Sequence, residues 1–322
     1  MNFAVLKGAA AALALTISAL GAQAQAQAQE WEPTGPIKMM IAFRAGGGAD
    51  TMGRLLAEEL SARRGWEIIP ENVTGKGGAT MAVALKGEPA DGLAIGVTVS
   101  EATTYNVQAT RNPGYALDDF DYISTISGSQ MGIIAKADRG WTNLGDVIAA
   151  AQAGEKISFG AMSQKLADAA YVIGKNNGVE FTTVMVKGGK GGLNGVVADD
   201  LDVAWAAGVQ TAGVKAGDLV NLVSAENGPL NVSPDAPLMA AYSVPFTFGV
   251  KFIVVAPSGL PDDVKATYEA AVAEVLNDPE SKLSQFVTKA FSGPELIQGD
   301  ALTAYMQEGY EAAGALLDAS SE

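Results

Sequence analysis

The sequence predicts an α/β protein of two lobes, each built on a mainly parallel sheet with helices on its faces. Three observations carry this. The chain has 322 residues, long for one core at roughly 100 to 200 residues per domain. Short apolar runs of strand length alternate with stretches of helical periodicity, the pattern of parallel strands covered on both faces. The composition is globular, with 48% hydrophobic and 18% charged residues and 38 glycines for tight turns.

Residues 1–28 read as a secretory signal and not as part of the fold. They carry one lysine, Lys7, then an apolar run through Leu20, then repeated Ala-Gln steps that suit signal peptidase. Cleavage after Ala22, Ala24, Ala26 or Ala28 fits equally well. The run is shorter than the roughly 20 residues that a membrane helix needs. The expected location is therefore periplasmic.

The elements then follow in order. "PIKMMIAF" is a buried strand that delivers the chain into "RAGGGAD", and Met52, Leu55, Leu56 and Leu60 recur at helical spacing before Gly65 stops the helix. "WEIIPENV" is strand-like, "TGKGGAT" a second glycine loop, "MAVALKG" a short helix and "LAIGVTVS" a strand. A second series begins near Ser127. Its strands are "MGIIAKAD", "KISFGA", "VEFTTVMV", "LDVAWAA" and "LVNLVSA". Its helices are "TNLGDVIAAAQAG", "SQKLADAAYVIGKNNG" and "VQTAGVKAG", while "KGGKGGLNG" is expected as a loop. Residues 226–245 hold four prolines and read as an irregular connection. "KFIVVAP" resumes as strand, and "PDDVKATYEAAVAEVLNDPE" is a helix whose opening aspartates suit its positive end.

The glycine loops are the candidate site. Glycine lets successive amides turn toward one point, and the helix that follows adds positive partial charge there. Nucleotide motifs fail: read as G-x-G-x-x-G from Gly46, the last place is Thr51, and from Gly48 the second place is Asp50. A Walker-like frame from Gly48 to Gly53 is followed by Arg54 and Leu55, where lysine and Ser or Thr should stand. Asp50 would also repel a nearby phosphate. A carboxylate suits such amides equally well, and both loops follow strands of one parallel sheet, at the ends where ligands bind.

"PIKMMIAFRAGGGADTMGRLLAEEL" and "ENVTGKGGATMAVALKGEPADGLAIGVTVS" resemble the opening of the substrate-binding proteins of tripartite tricarboxylate transporters, the TctC or Bug family. "DFDYISTI", "KISFGAMSQKLADAA", "VMVKGGKGG", "DLDVAWAA" and "KFIVVAPSGLPDDV" resemble its later blocks in the same order. The resemblance implies a periplasmic binding protein of the type II-like, Venus flytrap kind. It would close over a small di-, tri- or aromatic carboxylate and present it to membrane permease subunits. The chain would build lobe one from 29–126, lobe two from 127–249, and return to lobe one over 250–322.

The residues that the resemblance points to are Ala45, Gly46, Gly47 and Asp50 in the first loop, and Gly77, Gly78 and Ala79 in the second. From lobe two they are Ala161, Met162 and Ser163, with Lys187 and Gly188. Phe43 and Ser100 close strands beside these loops and complete the set. Where the family commonly has proline and a small residue, this chain has Arg44 and Lys76, which would add charge-assisted bonds to a carboxylate. Met185 and Val186 replace the family's usual proline and tyrosine. Trp205 ends its strand either on the cleft wall or in the core; an aromatic residue serves both. Asp50 is expected to order a water or accept a donor group of the ligand.

Composition limits the alternatives. The chain has no histidine and no cysteine, which removes histidine triads, thiol nucleophiles, disulfides and lipid attachment through cysteine. "GxSxG" is absent, and Lys165 follows Ser163 by two places instead of three. An exported hydrolase is therefore disfavoured, and no enzyme, cofactor or metal is expected. A formal charge of −15, about −16 once Lys7 is removed, disfavours nucleic acid, whose binding needs clustered cations. A monomer is expected. A sensory binding protein that reports to a membrane receptor would share this fold and pocket.

Overall fold

The computed structural model describes residues 31–321, and the expected signal at 1–28 lies outside them. From Pro33 onward the chain forms one compact unit. It opens with β1 (Ile37–Ile41), α1 (Gly48–Arg64), β2 (Ile68–Asn72), α2 (Ala79–Lys86), β3 (Ala94–Val99), α3 (Tyr105–Ala109) and β4 (Phe120–Gly128). Next come β5 (Gly132–Lys136), α4 (Leu144–Gln152), β6 (Ser158–Ala161), α5 (Gln164–Asn176), β7 (Thr182–Met185) and α6 (Gly188–Val197). The second series ends with β8 (Val203–Ala206), α7 (Thr211–Ala216) and β9 (Leu219–Ser224). The chain closes with β10 (Lys251–Pro257), α8 (Asp262–Asn277), α9 (Lys282–Ala290) and α10 (Gly299–Ser321).

These strands make two five-stranded sheets with matching topology, β2-β1-β3-β10-β4 and β7-β6-β8-β5-β9. In the first, β1 pairs parallel with β2 and β3, while β10 runs antiparallel to both β3 and β4. In the second, β6 pairs parallel with β7 and β8, while β5 runs antiparallel to β8 and β9. Each sheet is therefore mixed, with four strands pointing one way and one against them. The opposed strand is in each case the one that enters from the other lobe. A strand that arrives from the far side meets its neighbours head to tail, which the α/β alternation alone does not reveal.

Local chemistry sets the element ends. Gly65 adopts the left-handed conformation (φ 71°) and caps α1 through its amide on the Ser61 carbonyl, with Arg63 and Arg64 in the last turn complementing the helix dipole. Asn143 and Ser163 cap α4 and α5 with side-chain oxygens. The expected loop "KGGKGGLNG" is instead helical as α6. Glycine disfavours a helix, but tertiary contact overrides it here. A Cβ on Gly192 would sit 3.1 Å from the Ala204 Cβ and 3.2 Å from the Trp205 carbonyl, so the missing side chain lets the helix lie close on β8.

One core holds Met40, Tyr122 and Ile253 of the first sheet and Leu85 of α2, with Leu302 and Met306 from the start of α10. Another holds Ile133, Phe159, Trp205 and Val223 of the second, with Ala313 and Leu316 from the end of α10. The last helix thus packs against both cores. The two chain crossings, 129–131 and 225–250, are tied together: the Ser129 amide donates to the Val250 carbonyl at 2.8 Å and the Ala225 amide to the Met131 carbonyl at 2.9 Å.

Candidate functional site

The first glycine loop leaves β1 and the second leaves β2, so the two loops emerge side by side from adjacent parallel strands. Gly78 sits against the end of β1: a Cβ there would lie 3.5 Å from that of Ala42 and 2.8 Å from that of Ala102. The structure therefore brings the two loops together at the carboxyl edge of the sheet.

Asp50 holds the first loop in shape. It is 4% exposed. Its Oδ2 accepts the Gly46 amide at 2.9 Å, and its Oδ1 accepts Arg54 Nε at 2.9 Å and Asn72 Nδ2 at 2.7 Å. Burial pushes the carboxyl pKa up, but the bonds from Asn72, the Gly46 amide and Arg54 outweigh it and leave the group below its usual value. Asp50 thus takes three donors from the chain and organises the loop, a role the sequence, which suggested one toward water or ligand, did not show.

The amides divide into bound and free. Gly46 gives its amide to Asp50 and Gly47 gives its own to the Arg44 carbonyl. In the second loop Gly78 donates to the Gly75 carbonyl and Ala79 to that of Lys76. Among the described residues, the loop amides with no acceptor on the chain include those of Ala45, Gly48, Ala49 and Gly77. Gly48 and Ala49 open α1, which has no side-chain cap, so they are ordinary orphans of a helix start. Of the residues the sequence singled out, Ala45 and Gly77 keep free amides, whereas Gly46, Gly47, Gly78 and Ala79 give theirs to the chain.

Arg44 turns away from the loop centre. Its Nη2 donates to the Lys187 carbonyl of the other lobe at 2.9 Å, while Lys190 Nζ donates to the Gly46 carbonyl at 3.1 Å. This reciprocal pair joins the lobes. Lys76 is exposed and takes positive φ (49°) at the tip of the second loop. Phe43 is half-buried against the first core, and Ser100 is buried with its Oγ accepting the Lys251 amide at 3.2 Å.

On lobe two, Ala161 is buried at the end of β6, Met162 packs on the second core and Ser163 caps α5. Gly188 takes positive φ (74°) at the start of α6. Trp205 is a correction to the cleft alternative. It is fully buried, stacked on Phe159 at 5.6 Å and edge-on to Phe248 at 5.4 Å, with its Nε1 donating to the Leu166 carbonyl at 2.9 Å. A side chain so enclosed serves the core.

Sequence reasoning missed four charged residues here: Glu101, Lys165, Lys190 and Glu226. Glu226 ties the crossings, accepting Ser129 Oγ and the Met131 amide, both at 2.7 Å. Lys165 lies in the first turn of α5, where the helix dipole disfavours a cation. That local conflict is the signal that marks it. Tyr105 of lobe one donates to Asp168 of α5, giving another bridge between the lobes.

Two α/β lobes joined by paired crossings, with glycine loops facing a second lobe, define a solute-binding protein. Residues 52–320 match the family described as tripartite tricarboxylate transporter family receptor, TctC, and the chain belongs to it. This is a family of binding proteins and not of enzymes. The chain is 23% identical, over 77% of its length and 73% of the relative's, to a UPF0065 protein of Agrobacterium vitis. It is similar in fold to a protein of R. palustris solved with adipate, at a TM-score of 0.78 and 19% identity over 90% of this chain and 98% of that one. MatC from Rhodopseudomonas palustris, solved with malate, gives 0.74 and 21% over 90% and 100%. Among the described residues no helix is long and apolar enough to cross a membrane.

Proposed function

We propose that the chain is exported to the periplasm, captures a small carboxylate between its lobes as a monomer, and hands it to the permease of a tripartite tricarboxylate-type transporter. The observation that carries this is that two adjacent glycine loops hold amides without acceptors, those of Ala45, Gly48, Ala49 and Gly77 among them. Free amides at the positive start of α1 and in the loop beside it favour an anion, and a carboxylate offers acceptors enough. Adipate and malate in the fold relatives support that chemistry.

Closure follows the hinge logic of such folds: the ligand bridges both lobes and lowers the energy of the shut state. Arg44 on Lys187 and Lys190 on Gly46 are contacts between the lobes that opening would break. A thermal-shift panel on refolded mature protein tests the reading, with dicarboxylates, citrate-like acids, aromatic acids, amino acids and sugars. Ligand at about 100 times its Kd adds about 2.7 kcal/mol, a shift of several degrees. Sugars shifting the melt while every carboxylate leaves it unchanged would refute the proposal.

A further inference from the structure

We infer that Phe291 is the positioning residue that sets the shut state: lobe two comes to rest on its ring, and the same ring bears on the start of α1. This rests on the hinge closure proposed above and not on which acid is bound.

Phe291 ends α9 in lobe one and is buried. A Cβ on Gly48, the first residue of α1, would lie 2.7 Å from the ring Cζ. A Cβ on Gly208, just past β8 in lobe two, would lie 2.9 Å from Cδ1 and 3.0 Å from Cε1 of the same ring. Non-bonded carbon atoms settle at about 3.5–4.0 Å, so neither position takes a side chain while the ring stays where it is. Each lobe thus presents bare backbone to one aromatic ring.

The ring has little room to yield. Phe252 of β10 meets it edge-on at 5.0 Å and Phe286 of α9 at 5.8 Å. Its backbone is pinned to lobe one, where the Phe291 amide donates to the Val287 carbonyl at 2.8 Å. The next residue, Ser292, accepts the Gly128 amide at 2.8 Å and donates to the Gly128 carbonyl at 2.9 Å, at the end of β4 where the first crossing leaves. The other side is fixed as well. Gly208 takes φ of 137°, a conformation that glycine alone adopts readily. Its amide donates to Gln210 Oε1 at 2.7 Å, and Gln210 Nε2 donates to the Gln130 carbonyl of the first crossing at 2.8 Å. Asn231 Nδ2 reaches from the second crossing to the Phe291 carbonyl at 3.4 Å.

Two firm mounts that meet at a single ring make a stop for the closing lobes. The contact with Gly48 gives that stop a second consequence, because Gly48 opens the helix whose free amides face the anion. The start of α1 cannot press on the ring without lifting lobe two, so the placement of these donors and the angle of closure are set together.

Spin-label distances between the lobes test this on the mature chain, which has no cysteine of its own. Ile69→Cys on β2 and Val197→Cys on α6, both exposed, carry the labels. Distances are read for the protein alone, with malate and with adipate. Wild type is expected to populate the separation of the structure. Gly48→Ala is expected to lengthen it, since the ring must give by about 1 Å, and Phe291→Leu in the same chain restores it. Gly208→Ala also lengthens it, but Phe291→Leu does not restore that variant, because its Cβ meets the Ala290 carbonyl at 2.5 Å as well. A ring that merely filled the core would lower the Tm of each variant and leave the distances alone. Circular dichroism confirms that each variant is folded. Gly48→Ala distances that match wild type, or that Phe291→Leu fails to restore, overturn the inference and leave closure standing if malate or adipate still draws the lobes together. A wild type that never takes the separation of the structure under any of the three conditions overturns both.

Discussion

Asp50→Asn is the most informative single change, because it alters one atom's chemistry and almost no volume. With its amide oxygen kept toward Arg54 and Asn72, the new NH2 group faces the Gly46 amide, and donor meets donor. The native structure has a 2.9 Å bond there. Gly46 holds positive φ (76°) and lies exposed, so once released its amide turns to water and the loop loses its set shape. A hydrogen bond to a charged group is worth about 1.5–3 kcal/mol. Arg54 is nearly half exposed, so its pairing with Asp50 adds little, and the total loss is about 2 kcal/mol. That lowers the Tm by about 4 °C in a domain of this size. Because the folded Asp50 pKa lies below the unfolded value of 3.8, its stabilisation is present above that pH and is lost as pH falls through the folded pKa. The melting gap between wild type and variant should therefore close in acid. Ligand affinity should fall about tenfold or more, since the free amides at Ala45 and Gly48 are no longer aimed together. Equal melting temperatures at neutral pH with unchanged affinity would refute the role given to Asp50.

Four further changes test other parts of the account. Arg44→Ala should weaken ligand binding several-fold while leaving the melt of the free protein nearly unchanged, as an exposed contact between lobes should; calorimetry and melting together check it. Trp205→Ala should cost about 3–5 kcal/mol by urea unfolding, with the Kd of the molecules that remain folded unaltered, as befits a core residue. Gly208→Ala would place a Cβ 2.5 Å from the Ala290 carbonyl and 2.9 Å from the Phe291 ring at positive φ. It should hold the lobes apart, which solution scattering reads as a larger radius of gyration with ligand than the wild type shows. Glu226→Gln addresses the crossings. Burial raises the folded Glu226 pKa above the unfolded 4.5, against the donors from Ser129 and Met131. Its stability contribution is full below the unfolded value and declines as pH rises through the folded one. The variant should therefore gain in Tm relative to wild type between acid and neutral pH.

Much of the fold is legible because its signals are local. The run from Ile37 to Ile41 is nearly all apolar, Gly65 ends α1 and Asn143 opens α4, so periodicity and caps place these elements from the sequence. β4 is harder to read. Ser124, Thr125 and Ser127 are fully buried and disguise the strand. They are satisfied largely by the distant segment 293–298: Ser127 Oγ donates to the Gly293 carbonyl at 2.7 Å, Thr125 Oγ1 accepts the Ile297 amide at 2.8 Å, and Ser124 Oγ accepts Gln298 Nε2 at 3.3 Å. The helix at Gly188–Val197 is hidden for the same kind of reason, since the close approach of Gly192 to β8 and of Gly195 to Leu201 is visible only in the fold.

At the site, the loops are legible and the division of labour within them is not. Glycines at 46–48 and 75–78 announce turns that expose amides, but which amides stay free depends on where Asp50 and the Arg44 carbonyl reach. Arg44 carries the right charge for a carboxylate and spends it on Lys187 of the other lobe, a partner 143 residues away in sequence. Glu101 looks like an ordinary surface acid in "TVSEAT" until the fold buries it beside the second loop.

The central claim is that free loop amides grip a carboxylate, and the most direct measurement is an amide NMR titration of isotope-labelled mature protein with the acid that binds it. The account predicts large downfield proton shifts at Ala45, Gly48, Ala49 and Gly77, with Gly46 and Gly78 moving far less because Asp50 and the Gly75 carbonyl already hold them. Saturating binding that leaves those four amides unmoved would contradict it.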